Sequence, residues 1–226
     1  MKAIILAAGQ GKRLGQYTQG KPKCLLPLGQ ETILSREVRL LQEAGIAEED
    51  IYVVGGYRYD LLQEHVPNLI VNTLYDKKEN SYSLGLALES MDDDILILDA
   101  DLCFEVDLLQ ELLLSPDPNI LMSKVSDDLE ESTGIVTDAA GYVTAIGKQY
   151  MNTGLVYISI FKIARETIPA FREALLDERH GATWYTAAIT NICKEFPFVN
   201  LVTAKKWHEI DFVEDYLETI KLFGLD

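Results

Sequence analysis

The chain has 226 residues, 48% of them hydrophobic and 25% charged, proportions that suit an ordinary globular protein with one large core or at most two small ones. A formal net charge of −16 repels nucleic acid and anionic membrane surfaces, so neither is an expected partner. It does not bar an anionic small substrate where cations cluster, and it leaves carboxylates available for a divalent ion.

The first element is "AIILA" (3–7), a short apolar run that predicts a buried strand. From Ala3 to Gly9 the run is too short for a secretory signal or a membrane span. Cys24, Cys103 and Cys193 are widely spaced, without a CxxC pair, which fits reduced thiols and a cytoplasmic location. The strand breaks into Gly9 and Gly11, then Lys12 and Arg13, with Lys21 and Lys23 close behind. Glycines after a strand expose backbone N–H groups in a concavity that suits phosphate oxygens. GxxxxGK[ST] is absent, and GxGxxG fails because Leu14 occupies the third glycine position. Taken alone, the turn reads equally well as an ordinary tight strand-to-helix connection.

Ile33, Leu34, Val38, Leu41 and Ala44 share one helical face that stops at Gly45. Apolar strands follow at 51–55, 69–72 and 95–100, with a helix between the last two that starts after the capping types Asn80 and Ser81. This alternation predicts an α/β fold, a mainly parallel sheet with helices on both faces. The second half adds a hairpin over 132–148, a strand at "TGLVYIS", helices near 161–176 and 184–195, and a strand at 198–204. A final helix places Phe212, Tyr216, Leu217 and Ile220 on one face and closes at Gly224. No repeat or linker divides the chain, so one domain over 1–226 is expected, with 125–152 as an inserted hairpin or flap. His65, His180 and His208 show no metal-ligand spacing.

"ILILDADLCFE" puts Asp99 and Asp101 at the carboxyl end of a strand, on the same sheet edge as the glycine turn, where open parallel sheets bind ligands. "WHEIDFVEDY" puts Asp211 in a similar position before the last helix. Two carboxylates from distant segments can hold Mg²⁺ against a phosphate. Each has a plainer reading too: Asp211 as N-cap of the final helix, Asp101 as cap of a helix near Glu105.

"LAAGQGKRLG" followed by "KPKCLLPLGQETIL" resembles the nucleotidyltransferase superfamily, which activates phosphorylated small molecules with a nucleoside triphosphate. The family pattern runs approximately LAAGxGxRLxP and then PKxLLPL; "GQYT" (15–18) departs from it by lacking the proline. "NSYSLGLALES", "VTAIGKQ", "NTGLVYIS" and "WYTAAI" are similar to the phosphocholine-type cytidylyltransferases within it. The resemblance implies a three-layer Rossmann-like nucleotidyltransferase fold and a Mg²⁺-dependent transfer of CMP from CTP to a phosphorylated small alcohol. It assigns nucleotide binding to Leu6, Ala7, Ala8, Gly9, Gly11, Lys12, Arg13 and Lys23, and to Asn80, Ser81, Ser83 and Asp99. Arg13, Lys23 and Asp101 are its catalytic set, with Arg13 on the departing pyrophosphate and Lys23 on the α-phosphate. Asp101 and Asp211 match its metal ligands. Tyr82, Lys148, Tyr150, Asn152, Gly154, Trp184 and Tyr185 are assigned to the acceptor, Lys148 on its phosphate and the aromatics around a quaternary ammonium. Asn152 and Gly154 also resemble the Asn-x-Gly of sugar-phosphate enzymes, so a sugar-1-phosphate nucleotidyltransferase using another NTP is the alternative. A catalytically silent nucleotide-binding subunit is a third reading, disfavoured because Arg13, Lys23, Asp101 and Asp211 are all present. A monomer or homodimer is expected.

Overall fold

A computed structural model of the chain describes residues 1–126, 132–177 and 184–225. Part of the flap expected over 125–152, namely 127–131, lies outside the described residues, as does His180. The first half runs β1 (Lys2–Ala7), β2 (Pro27–Leu28), β3 (Glu31–Thr32), α1 (Ile33–Glu43), β4 (Ile51–Gly55), β5 (Asn68–Val71), α2 (Asn80–Leu88), β6 (Ile95–Asp99), β7 (Leu102–Phe104) and α3 (Val106–Leu114). The second half runs β8 (Ile120–Val125), β9 (Gly134–Thr137), β10 (Val143–Gly147), β11 (Leu155–Ile163), α4 (Ile168–Leu176), α5 (Tyr185–Ile192), β12 (Val199–Val202), β13 (Trp207–Glu209) and α6 (Val213–Phe223).

The main sheet has the order β10-β9-β11-β6-β1-β4-β5, and β8 and β12 extend it alongside β11. The run β6-β1-β4-β5 is parallel, and β11 joins β6 antiparallel, which makes the sheet mixed but mostly parallel around β1. Apolar runs without alternation arise because both faces are covered. Ile4, Val54 and Ile97 pack with α2, α4 and α5, whereas Ile5, Val53 and Leu98 pack with α1 and α3. Successive residues of one strand therefore feed two cores, and each fully buried Ile or Leu contributes about 1.5–3 kcal/mol.

Helix α1 begins where Thr32 and Ser35 cap each other, Ser35 N donating to Thr32 Oγ1 at 3.1 Å and Thr32 N to Ser35 Oγ at 2.8 Å. Gly45, at φ +97°, ends it as expected. The hairpin expected over 132–148 is β9 and β10, paired antiparallel. The helix expected from about 161 instead begins at Ile168. Phe161 and Ile163 continue β11 and bury completely against β6 and α4, while Lys162 reaches out to donate to the Ser115 carbonyl at 3.0 Å. In α6, Tyr216 is buried but Leu217 is half exposed, so Leu217 sits off the packed face to which the periodicity assigned it.

Candidate active site

The strand β1 ends at Ala7, and Gly11 takes φ +63° before a short 3₁₀ turn whose Leu14 is fully buried. A Cβ on Gly11 would lie 2.7 Å from the Cβ of Lys23, so the bare backbone there lets the loop close onto the Lys23 segment. Lys23 opens a second 3₁₀ turn held in place by buried Cys24. Two segments the sequence separates by ten residues thus present Arg13 and Lys23 to one place.

The acids arrive from the other side. β6 ends in Asp99, the turn that follows it carries Asp101, β13 pairs antiparallel with β7, and Ile210 N donates to the Asp101 carbonyl at 2.9 Å, which brings Asp211 beside Asp101. Lys23 Nζ lies 2.9 Å from Asp101 Oδ2 and 2.7 Å from Asp211 Oδ1, and Arg13 lies 3.2 Å from Asp211 Oδ2. Burial by itself would lower the Lys23 pKa, but the two carboxylates outweigh it and hold Lys23 above the ordinary lysine value. Burial likewise works to raise Asp211, and Lys23 with Arg13 overcomes it and keeps Asp211 below the usual carboxylate range. Neither aspartate is a helix cap. Asp215 Oδ2 accepts from the backbone N–H groups of Asp211 and Phe212 and so caps α6, while α3 starts after Glu105. Both carboxylates are therefore turned to the site, and Asp101 Oδ1 is buried with no hydrogen-bond partner.

Asp99 has a different environment. Tyr185 donates to its Oδ2 at 2.9 Å, and Ser159 also hydrogen-bonds to its carboxyl. Burial, then the Asp101 charge, pushes the Asp99 pKa up to about 8 against those two hydrogen bonds.

These groups line one cleft of about 1440 Å³, large enough for a nucleotide and a second ligand together. Of the residues singled out from sequence, Leu6, Ala7, Ala8, Gly9, Gly11, Lys12, Arg13 and Lys23 line it, as do Asn80, Ser83, Asp99, Asp101, Lys148, Trp184, Tyr185 and Asp211. Ser81, Tyr82, Tyr150, Asn152 and Gly154 do not form its walls. Asn80 does not cap α2, which starts after Glu79; its Oδ1 accepts from the backbone of Tyr185 at 3.1 Å instead. Ser83 is buried and accepts from Asn72 at 2.9 Å. Lys148 Nζ stands 5.6 Å from the centre of the Trp184 ring.

Sequence reasoning passed over Glu209, Tyr157 and Ser159, all of which line the cleft. Burial and then the charges of Asp101, Asp211 and Asp99 raise the Glu209 carboxyl well above its ordinary value. Its signal was available, because strand alternation through "WHEID" puts Glu209 on the side of Asp211. Ser159 has no such signal: it takes φ +59° at a register break in β11, and a serine in that conformation leaves no mark in the sequence.

A family model described as MobA-like NTP transferase domain matches residues 3–186. The CTP:phosphoglutamine cytidylyltransferase of Campylobacter jejuni is 27% identical over 249 residues, 95% of this chain and 97% of that protein. The choline-phosphate cytidylyltransferase of Streptococcus pneumoniae is 39% identical over 105 residues, 45% of this chain and 44% of the relative. The solved structure of the CTP:phosphocholine cytidylyltransferase of Streptococcus pneumoniae superimposes with a TM-score of 0.76 at 23% identity, covering 98% of both chains. That likeness shows the same mostly parallel, helix-covered sheet. Among the described residues, no helix is long and apolar enough to cross a membrane.

Proposed function

The chain belongs to the MobA-like NTP transferase family and is a nucleotidyltransferase, and from that premise we propose that it transfers CMP from CTP to a phosphorylated small molecule, releasing pyrophosphate. The observation that carries the reading is Lys23 Nζ held within 3 Å of both Asp101 and Asp211, with Arg13 on Asp211, at the mouth of a bare glycine loop. The cytidylyl donor is supported by the Campylobacter jejuni and Streptococcus pneumoniae relatives, each named a cytidylyltransferase.

Chemically, an oxygen of the acceptor's phosphate forms a bond to the α-phosphorus of CTP, and the α–β bridging bond breaks, its electron pair leaving with pyrophosphate. The nucleophile is already anionic, so no general base is needed, and alignment with charge neutralisation supplies the rate. The Gly9–Gly11 backbone receives the phosphates, Arg13 faces the departing pyrophosphate, and Lys23 neutralises the α-phosphate. Lys148 is assigned to the acceptor phosphate; it stands close enough to Asp211 to lower that carboxyl's pKa.

A divalent ion fits this donor set. Asp101 Oδ1 is a buried, unpartnered hard oxygen, Asp211 supplies a second, and Mg²⁺ asks for only one or two carboxylates beside phosphates and water. Bound there, it would offset charge on the α-phosphate and fix its geometry. Lys23, which now pairs with both carboxylates, would then be free to face the nucleotide. The three buried, free cysteines support a reducing compartment such as the cytoplasm. The sugar-phosphate alternative loses support because Asn152 and Gly154 are not in the cleft wall.

The test is pyrophosphate release with CTP, Mg²⁺ and a panel of phosphorylated acceptors. Turnover should need CTP, an acceptor and the metal, and Asp101→Asn or Asp211→Asn should reduce kcat by at least about 100-fold. Equal or faster turnover with another NTP would overturn the cytidylyl assignment.

A further inference from the structure

The glycine loop that leaves β1 is shaped by local backbone hydrogen bonds. Leu14 N donates to the Gly11 carbonyl at 3.1 Å, Gln19 N to that of Gln16 at 3.2 Å and Lys21 N to that of Thr18 at 2.9 Å, each three residues back. Bonds of this span form tight turns and do not fasten a loop to the body of a protein. Leu14, fully buried, anchors the middle. The two ends meet a single residue, Tyr57, in the turn that follows β4. Tyr57 N donates to the Ala8 carbonyl at 3.1 Å, where the loop begins. Tyr57 Oη donates to the Gly20 carbonyl at 3.2 Å, where the loop ends, across 37 residues of sequence.

The preceding residue makes that reach possible. A Cβ on Gly56 would lie 2.7 Å from the Ala8 oxygen and 2.5 Å from the Cβ of Tyr75, so only glycine lets the chain turn this close to the loop. Tyr75 lines the cleft and meets Tyr57 edge-on, with ring centres 6.2 Å apart. Backbone strain gathers at the same place. Among the described residues, three that are not glycine take a positive φ, and two of them flank the Tyr57–Gly20 bond: Gln19 at +50° and Arg58 at +47°. Such conformations persist where the surrounding structure over-determines them, as at sites that present a fixed geometry.

We propose that Gly56 and Tyr57 are positioning residues for the nucleotide: the turn after β4 ties both ends of the glycine loop, so that Gly9, Gly11 and Arg13 are in place before the triphosphate arrives. This rests on the cytidylyl-transfer reading and extends it to residues outside the glycine-loop motif. Holding the loop closed in the free protein removes an ordering cost from nucleotide binding. Neither residue meets the reacting atoms; both act through Ala8 and Gly20 on the loop between them.

The experiment compares the full-length wild type with Tyr57→Phe and Gly56→Ala, by amide hydrogen exchange of the free protein and by calorimetric titration with CTP and Mg²⁺. Tyr57→Phe removes one hydroxyl and keeps the ring, so its melting temperature should stay within about 2 °C of wild type. Exchange over residues 9–20 should rise at least about threefold, and CTP should bind about three- to fivefold more weakly. Gly56→Ala forces the Ala8 carbonyl and Tyr75 apart and should weaken CTP at least about tenfold. In both variants, exchange across β9 and β10 and the KM of the acceptor should stay within about twofold of wild type, whereas a general loss of stability would move them too. Unchanged loop exchange and CTP affinity in Tyr57→Phe overturn the inference and leave cytidylyl transfer standing. So does a loss that falls equally on CTP and on the acceptor. A wild type that binds no CTP defeats the cytidylyl-transfer reading, and this inference with it.

Discussion

Lys23 occupies the space between two carboxylates that its own charge makes tolerable as neighbours. Removing it exposes Asp101 and Asp211 to each other and removes the cation assigned to the α-phosphate. Lys23→Ala should lower kcat by about 100-fold or more, while Mn²⁺ binding without nucleotide, followed by titration calorimetry, should tighten severalfold because two carboxylates lose their internal counterion. Unchanged Mn²⁺ affinity would mean that Lys23 does not compete for those oxygens. Glu37 makes a second residue-scale case. It is fully buried on α1, Oε1 accepting from Leu102 N at 3.2 Å and Oε2 without a partner, and burial followed by the Asp101 charge raises its pKa well above 4.5. A raised folded pKa means that the folded state holds the proton more tightly than the unfolded chain. The benefit is full below the ordinary glutamate range and is lost as pH rises through the folded value. The melting temperature of Glu37→Gln should therefore fall less than that of the wild type between pH 5 and pH 8, and parallel profiles would refute the assignment. At this scale the sequence made Arg13, Lys23, Asp101 and Asp211 legible, since a contiguous motif and strand-end aspartates carry their own signal. Ser159 and Glu37 were not, because one depends on a backbone angle and the other on which face of α1 turns toward β7.

Elements aim those residues, and α6 shows how. Its N-terminus is capped by Asp215, which accepts from Asp211 N at 2.9 Å and Phe212 N at 2.7 Å. The cap spares the Asp211 side chain for the cleft and fixes the backbone that carries it. Asp215→Ala should destabilise the protein by about 1 kcal/mol in urea unfolding and should lower kcat by less than Asp211→Asn does. A kcat loss equal to that of Asp211→Asn would place Asp215 itself in the chemistry. The cap that residue type also allows at Asp211 is made by Asp215 four residues later, a distinction that residue preference alone does not resolve. Helix and strand existence was readable wherever apolar periodicity was long, as in β1, β6 and α1. The limit of β11 was not, because "SIFKI" is apolar enough for either element, and only pairing with β6 and β8 decides it.

Across the whole molecule, a strongly acidic protein gathers cations among the acids of one cleft on the edge of its sheet. Lys12, Arg13, Lys23, Lys78, Lys124 and Lys148 line it together with carboxylates such as Asp101 and Asp211, although the net charge is −16. The parallel run β6-β1-β4-β5 brings the ends of β1 and β6 to a single edge, and the β13–β7 pair carries the last acid there from more than 100 residues away. The layered fold and the sheet edge that carries the cleft were legible from strand and helix alternation. The cleft walls supplied by β11, α5 and β13 were not, since their side chains meet only through tertiary packing. The central claim is that Arg13, Lys23, Asp101 and Asp211 surround the phosphates of one nucleotide. A crystal structure with Mn²⁺ and a CTP analogue blocked at the α–β bridge tests it most directly. The account predicts an anomalous peak coordinated by Asp101, Asp211 and the α-phosphate, with Lys23 shifted from the carboxylates onto that phosphate. A metal or triphosphate bound away from these four side chains would contradict it.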